Sequence, residues 1–267
     1  MNTQISRRIF LAGATALSTL RIQSFAGNSL EVQSPVHLEF PAQNPELVRE
    51  MVGVSHGNIA RVEALLELHP ALAKATWDWG YGDWETALGA ASHTGNREIA
   101  LLLVANGARP DLFTFAMFGQ LEVVKAYVNA SPGIQRIKGP HGLTLHHHAR
   151  VGGPESSAVL DYLETLGDAN LTQSSEPLTQ DEKQIYVGEY SFGVGPSDRL
   201  IINLDKNGFL GIKRLPSGTN RAIFYLGNHE FYPTGAPAVR LRFDVRNGSA
   251  SELSVIDGSP IVTAARV

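Results

Sequence analysis

The spacing of apolar residues changes once along the chain and divides it into two regions. Over residues 45–170, apolar side chains recur at intervals of three and four, as at Ile99, Leu102 and Leu103, which is the spacing of amphipathic helices. After Glu182, apolar and polar residues alternate, as over 239–245, which predicts strands. The polar stretch 171–182 predicts a linker. We therefore expect a helical domain over 45–170 and an antiparallel β domain over 183–267.

Glycines divide the helical region into short paired segments. Gly57, Gly95, Gly119 and Gly153 each follow one helical pattern and precede another, so each predicts a turn between two helices. A recurring helix–turn–helix unit is typical of repeat proteins, in which each unit buries its apolar face against its neighbours.

The unit over 85–108 carries the most specific pattern. Thr86 begins its first helix, Gly95 makes the turn and Gly107 ends the second helix. This unit resembles an ankyrin repeat, although Ala87-Leu88-Gly89 stands where that family usually carries Pro-Leu-His. The resemblance implies an α-solenoid of about four ankyrin repeats over 45–170. It also implies protein–protein interaction as the role of this domain.

The β region contains hairpin signals between its alternating segments. Asn207-Gly208 and Asn247-Gly248 each lie between two such segments, where this dipeptide favours a tight turn. A succession of short strands predicts a small antiparallel meander or barrel. The segments 186–190, 241–244 and 264–267 resemble the small β accessory domains of β-lactamase-like hydrolases and exported peptidases. The expected fold class is therefore multidomain, α plus all-β, and the second resemblance implies no catalytic residues.

The N-terminus is predicted to be an export signal. Ser6-Arg7-Arg8-Ile9-Phe10-Leu11 opens an apolar run over 10–20, and Ser24-Phe25-Ala26 forms a small-x-small cleavage site. These residues resemble a twin-arginine signal peptide over 1–26, which implies a periplasmic or secreted protein exported in the folded state. That route is common for cofactor proteins, and rapid folding is another reason to use it. The alternative is an ordinary secretory signal with a chance arginine pair. Residues 27–44 are predicted to form a linker.

Composition argues against several classes of function. The net charge is −4, and the first 26 residues contain three arginines and no acid, so the mature chain is more acidic still. An acidic protein lacks the basic surface that binds nucleic acid or anionic membranes. No apolar run of the mature chain is long enough to predict membrane insertion after signal cleavage. The absence of cysteine excludes disulfides, thiolate catalysis and cysteine-ligated metals.

The candidate binding residues are Trp77, Trp79, Tyr81 and Trp84. All three tryptophans of the chain fall between positions 77 and 84, in the segment between the first and second helical units. Loops on a rigid scaffold commonly carry binding, and such aromatic residues suit sugar stacking, cationic ligands or a protein hot spot. The alternative is that these rings fold back and pack against the helices.

The sequence predicts no catalytic, cofactor or metal site. His146, His147 and His148 are consecutive, so their side chains point in different directions on a helix and cannot converge on a metal ion. His147 falls where ankyrin repeats carry a structural histidine. A surface metal site from His141 and His146 is the alternative. No serine-nucleophile motif or phosphate-binding glycine loop is present.

The resulting expectation is an exported, non-enzymatic ankyrin-repeat protein that mediates protein–protein interaction in the periplasm with an unidentified protein partner. The first alternative is a small-ligand or carbohydrate-binding protein that uses the tryptophan-rich loop or the β domain. The second is a hydrolase with a site between the two domains.

Overall fold

The computed structural model describes residue 38 and residues 40–171, 174–216 and 218–267. The twin-arginine signal predicted over 1–26, and most of the linker predicted over 27–44, lie outside these residues and stay predictions. Glu39–Val267 form one compact unit. Within the part of the chain that is described, no helix is long and apolar enough to cross a membrane.

The first half of this unit is built from short helices, several of which begin at a side chain that accepts a backbone N–H. Thr86 caps the N–H of Gly89, Asp111 caps Thr114 and Thr144 caps His147. The α-helices are α1 (Pro45–Val54), α2 (Ile59–Leu68), α3 (Ala87–His93), α4 (Arg97–Ala105), α5 (Leu112–Met117), α6 (Leu121–Ala130), α7 (Leu145–Val151), α8 (Ser157–Leu166) and α9 (Gln180–Gln184).

Irregular segments separate these helices. Four 3₁₀ helices span Pro70–Lys74, Ile134–Arg136, Pro140–Gly142 and Gly153–Ser156. A two-stranded antiparallel ribbon, β1 (Thr76–Asp78) and β2 (Trp84–Thr86), lies between α2 and α3. Two apolar clusters hold the helices together. One includes Met51, Leu65, Leu88 and Leu103, and the other joins α5 to α8 through residues such as Leu145.

The predicted ankyrin-repeat solenoid is wrong as a fold class. The helices do pair around turns at Gly95 and Gly119, but a 3₁₀ helix and the ribbon follow α2, a short coil follows α4 and two 3₁₀ helices follow α6. A solenoid unit contacts only its neighbours, whereas α3 of the second pair also contacts α7 of the fourth. The helices are also bound to the β region through a buried ion pair between Arg221 and Asp83. The helical half is therefore not a free-standing stack of equal repeats.

The second half is a closed eight-stranded antiparallel barrel, so the barrel part of the prediction agrees with the structure. Each strand pairs with the next along the chain, and β10 returns to pair with β3 through Ala265 opposite Ser191. Closure leaves no open sheet edge. The strands are β3 (Gly188–Ser191), β4 (Arg199–Leu204), β5 (Leu210–Arg214), β6 (Arg221–Gly227), β7 (Glu230–Pro233), β8 (Arg240–Arg246), β9 (Ser249–Asp257) and β10 (Ser259–Arg266).

Aromatic rings fill much of the barrel interior. The ring centroid of Tyr186 lies 4.8 Å from that of Phe231 and 5.0 Å from that of Phe243, at edge-on angles that favour attraction between rings. The hydroxyl of Tyr190 donates to the carbonyl of Tyr186 at 2.7 Å. Burial raises the pKa of Tyr186, and it raises the pKa of Tyr190 to about 12.

The loop of the ribbon joins the two halves. Tyr81 at its tip has a φ of 62°, between Gly80 and Gly82 whose φ values are also positive, and its ring packs against the barrel core. Arg221 of β6 reaches back to the carbonyl of Trp79 at 3.2 Å. The tryptophan-rich segment is therefore held between helices and barrel.

We expect Gly119→Ala to destabilise the fold more than Gly153→Ala. Both glycines have a left-handed backbone, with φ of +75° and +72°, which costs alanine about 1–2 kcal/mol. At Gly119 a Cβ would also collide with the carbonyl oxygen of Glu155, whereas at Gly153 it would meet no atom within 4 Å. Overpacking adds about 1–3 kcal/mol. Urea unfolding of both variants measures the difference, and equal losses would contradict the close helix approach at Gly119.

We expect the buried tyrosines of the barrel to ionise at a higher pH in the native protein than in the denatured protein. A tyrosine whose folded pKa is raised stabilises the fold below its unfolded pKa of about 10 and loses that contribution as pH rises toward the folded value. The ultraviolet absorbance of tyrosinate should show Tyr186 and Tyr190 still neutral near pH 11 in the native protein. The same titration in denaturant should show every tyrosine ionising together. Coincident native and denatured curves would contradict the buried placement.

Candidate metal centre

Four polar side chains from separate parts of the helical half converge on one point. His56 follows α1, Glu85 lies in β2, His93 ends α3 and His141 lies in the 3₁₀ segment before α7. One ligand atom from each of these residues lies within 4.8 Å of each of the others. The three imidazole rings surround the carboxylate, with centroids 4.9 to 6.3 Å apart.

Glu85 is at the centre of this cluster and is fully buried. Its Oε1 atom lies 2.8 Å from Nε2 of His93 and 3.4 Å from Nε2 of His141, and its Oε2 atom lies 3.5 Å from Nε2 of His56. A fourth contact is of a different kind, because the indole Nε1 of Trp79 donates a 2.7 Å hydrogen bond to Oε2. The carboxylate thus faces three imidazoles and is positioned by one indole.

The other nitrogens of two histidines are already occupied. Nδ1 of His141 lies 2.7 Å from Oδ2 of Asp83, and Nδ1 of His56 lies 3.0 Å from the carbonyl oxygen of Gly53. Both partners only accept hydrogen bonds, so both Nδ1 atoms carry hydrogen. In a neutral ring, Nε2 then presents a lone pair toward Glu85. The Nε2 lone pairs and the carboxylate oxygens are all hydrogen-bond acceptors. A proton or a cation must therefore lie between them.

The imidazole contacts with Glu85 are not well-aligned hydrogen bonds. Oε1 of Glu85 and Nε2 of His93 are close enough, but their angles do not fit one, and neither buried atom has a well-aligned hydrogen-bond partner among the described residues. Buried polar atoms are normally satisfied. Such atoms grouped around one point are typical of ligands that share an ion.

Asp83 links this cluster to the barrel. It is 2% exposed, its Oδ1 atom accepts the backbone N–H of His141 at 2.8 Å, and Oδ2 also pairs with the guanidinium of Arg221. Burial alone raises the pKa of Asp83, but hydrogen bonds from His141 and Arg221 outweigh burial and lower that pKa. His141 has a left-handed φ of 59°, an uncommon conformation that this double contact with Asp83 holds in place.

A proton on His141 balances negative charge in the cluster. Burial lowers the pKa of His141, but contacts with Asp83 and Glu85 outweigh burial and raise it to about 9. Burial raises the pKa of Glu85, but contacts with His141 and His93 outweigh burial and lower it to about 2. The cluster therefore attracts positive charge to the point between Glu85 and the imidazoles.

One side of the cluster is open. The side chains of His56 and His141 are 31% and 25% exposed, against 0% for Glu85 and 10% for His93. A cavity of about 390 Å³ adjoins the exposed side. It is lined by residues of both halves of the unit: His56, Trp79, His141, Thr219, Asn220, Arg221, Ala222 and Thr234.

The four predicted binding residues have different environments. Trp77 and Trp79 are partly buried against the helical core, and Tyr81 packs against the barrel. Trp84 is 62% exposed. Only Trp79 contacts the histidine cluster, through Glu85. The assignment of these residues to partner or ligand binding stays a prediction.

The three consecutive histidines do not form a common site. His146 lies 3.4 Å from Glu164, His147 contacts the carbonyl of His93 at 3.0 Å, and His148 is buried and bonded to the carbonyl of Thr144. His141 is turned toward Asp83 and Glu85, and its cluster does not include His146. The structure does not bring together the surface pair of His141 and His146.

Sequence reasoning missed this cluster and predicted no metal site. Its members lie at positions 56, 85, 93 and 141, which match no ligand-spacing motif. One weak signal was present, because all three histidines stand one or two residues before a glycine: Gly57, Gly95 and Gly142. A glycine after a histidine indicates a turn but not which turns pack together, so only a three-dimensional arrangement shows that these histidines converge.

Comparison with protein-family models, characterised proteins and solved structures finds no match to this chain.

We expect Arg221→Met to destabilise the protein far more than Arg242→Met. The Arg221–Asp83 pair is 7% and 2% exposed, and breaking a buried pair costs about 3–5 kcal/mol because the remaining charge stays buried. Arg242 on the same barrel pairs with Glu230 at 60% and 28% exposure, and exposed pairs contribute about 0–1 kcal/mol. Urea unfolding compares the two variants. Equal losses would show that Arg221 does not join the barrel to Asp83 as described.

Proposed function

We propose that this protein binds one divalent transition-metal ion, with Zn²⁺ as the first candidate, through His56, Glu85, His93 and His141, and presents it to the adjoining cavity. One observation carries the proposal. The Nε2 atoms of three histidines and the oxygens of Glu85 surround a common point without well-aligned hydrogen bonds between them, and two of the three Nδ1 atoms are held as donors to other groups.

The donor set favours a borderline transition metal. Imidazole nitrogens suit Zn, Cu, Fe and Ni, whereas Mg²⁺ and Ca²⁺ prefer oxygen ligands throughout. Ligands that lie 2.0–2.2 Å from a tetrahedral Zn²⁺ are separated by about 3.4 Å. The distances of 3.4 Å from Oε1 of Glu85 to His141 and of 3.5 Å from Oε2 to His56 are close to that separation. The distance of 2.8 Å from Oε1 to Nε2 of His93 is shorter, so the carboxylate or this ring must shift by a few tenths of an ångström or more to admit an ion.

The groups behind the ligands support the same proposal. Metal-binding histidines typically donate the other ring N–H to a carboxylate or a backbone carbonyl, which fixes the tautomer and the ring orientation. His141 donates to Asp83 in this way, and His56 donates to Gly53. Trp79 restrains the carboxylate of Glu85. This arrangement positions the ligand atoms before an ion binds.

The open side gives the ion a chemical role. Four protein ligands are typical of structural zinc, but zinc also expands to five-coordinate, and the exposed side of His56 and His141 is where water or a substrate would add as the fifth ligand. A metal ion bound here would supply Lewis-acid chemistry to a molecule in the cavity. The cavity is lined by both halves of the unit, which favours the interdomain site of the hydrolase alternative. A twin-arginine signal, predicted from the sequence, suits a protein that is exported folded with its cofactor.

We expect the wild-type protein to bind one equivalent of Zn²⁺, measured by isothermal titration calorimetry and by elemental analysis after gel filtration. His56→Gln, His93→Gln and His141→Gln should each weaken binding by about 100-fold or more, because each removes a ligand. Asp83→Asn should weaken it by about 10–100-fold through loss of the carboxylate behind His141. His69→Gln, at an exposed position outside the cluster, is the matched control.

Circular dichroism should first show that each variant is folded. If the folded wild-type protein binds no Zn²⁺, Co²⁺, Ni²⁺ or Cu²⁺, the proposed function is wrong. If the ligand variants bind as tightly as His69→Gln, the ion lies elsewhere and this cluster is not the site.

A further inference from the structure

A second cavity lies at one end of the barrel and adjoins the metal cavity. Its volume is about 400 Å³, within the range of small-ligand pockets. Trp79, Thr219 and Arg221 line both cavities. The two spaces are therefore neighbours that share these three residues as lining.

The lining of this second cavity is mainly apolar. Leu200 of β4, Ile212 of β5 and Val255 of β9 are barrel-core side chains that line it. Phe192, Ile261 and Val262 complete the apolar surface, and the tip of the ribbon contributes Tyr81. Ile261 is 64% exposed, so this part of the apolar lining is accessible from solvent.

Three cationic side chains also line this cavity: Lys213, Arg214 and Arg221. Arg214 lies over the ring of Phe192 at 5.3 Å and donates to the carbonyl of Ser197 at 2.8 Å. Arg221 is bonded to Asp83 and to the carbonyl of Trp79, although its Nε atom has no hydrogen-bond partner among the described residues. The apolar part of the lining offers contact area to a hydrocarbon or an aromatic group.

The barrel-end cavity has limited depth for a ligand. Elsewhere the barrel interior is filled by aromatic packing, with Phe231 and Phe243 5.4 Å apart and Tyr190 fully buried. A long acyl chain has no space in such an interior. The space fits a short tail at the barrel end.

We propose that the barrel-end cavity is the apolar subsite of the metal centre. It takes the short hydrocarbon or aromatic tail of an amphiphilic small molecule whose oxygen-donor head group binds the metal ion. This inference rests on the proposed function, because the head group is defined by the ion. Two of the residues that the sequence singled out for binding, Trp79 and Tyr81, line the subsite.

The test uses alkyl hydroxamates, which carry a metal-binding head group and a tail of chosen length. Acetohydroxamate, butanohydroxamate and hexanohydroxamate are titrated into the Zn²⁺-loaded protein by calorimetry. Each methylene that becomes buried should tighten binding by about fourfold, so hexanohydroxamate should bind at least about tenfold more tightly than acetohydroxamate. Octanoate and octanol without Zn²⁺ test the tail alone.

Two exposed apolar residues give a matched pair of variants. Ile261→Asp places a charge at the subsite and should remove the gain with tail length while leaving acetohydroxamate binding unchanged. Phe209→Asp is the control, since Phe209 is 54% exposed and lines a different cavity, and it should retain the full gain.

The outcomes separate the two proposals. Zn²⁺ binding with equal affinities for short and long hydroxamates would overturn the subsite and leave the metal centre standing. A gain with tail length that persists in Ile261→Asp and is lost in Phe209→Asp would also overturn it. A protein that binds no metal would overturn the proposed function and this inference together.

Discussion

The buried carboxylate of Asp83 is the interaction on which the rest of this structure depends. It holds the ring and the backbone of His141 on one side and the guanidinium of Arg221 on the other. Removing either partner would leave a charge in a site that is 2% exposed, which is far more costly than losing a surface contact. One set of hydrogen bonds, centred on Asp83, therefore joins a barrel strand, the ribbon loop and the segment before α7. These hydrogen bonds position His141 in the histidine cluster.

Burial strengthens these contacts, and it also makes them depend on the protonation of His141. The negative charges of Asp83 and Glu85 are balanced by Arg221 and by protonated His141, whose pKa is raised to about 9 despite burial by its contacts with both carboxylates. A proton and a metal ion then compete for the same nitrogen, as they do in most histidine sites. The left-handed backbones of His141 and of Tyr81 at the ribbon tip are the local cost of this arrangement.

Much of the local structure could be predicted from the sequence, but the packing of the helix pairs against one another could not. The glycines at 57, 95, 119 and 153 lie between paired helices as predicted, the last three with a left-handed backbone, and Asn247-Gly248 turns between β8 and β9. Such features depend on a few adjacent residues, so the sequence alone suffices. The ankyrin assignment failed at the next level. One well-formed helix–turn–helix unit indicates that helices will pair, but the 3₁₀ segments and the ribbon between pairs decide whether the pairs stack regularly.

What the sequence by itself determined was the content of each half: helices with glycine turns, then antiparallel strands, with no cysteine chemistry. Only the tertiary structure decided that His56, Glu85, His93 and His141 meet. Their separation along the chain obeys no period, because each comes from a different turn, strand or helix end. A ligand set of this kind is created when elements pack and bring their ends together. Motifs based on the sequence spacing of ligands apply within one helix or hairpin. They do not indicate which residues of separate elements come together.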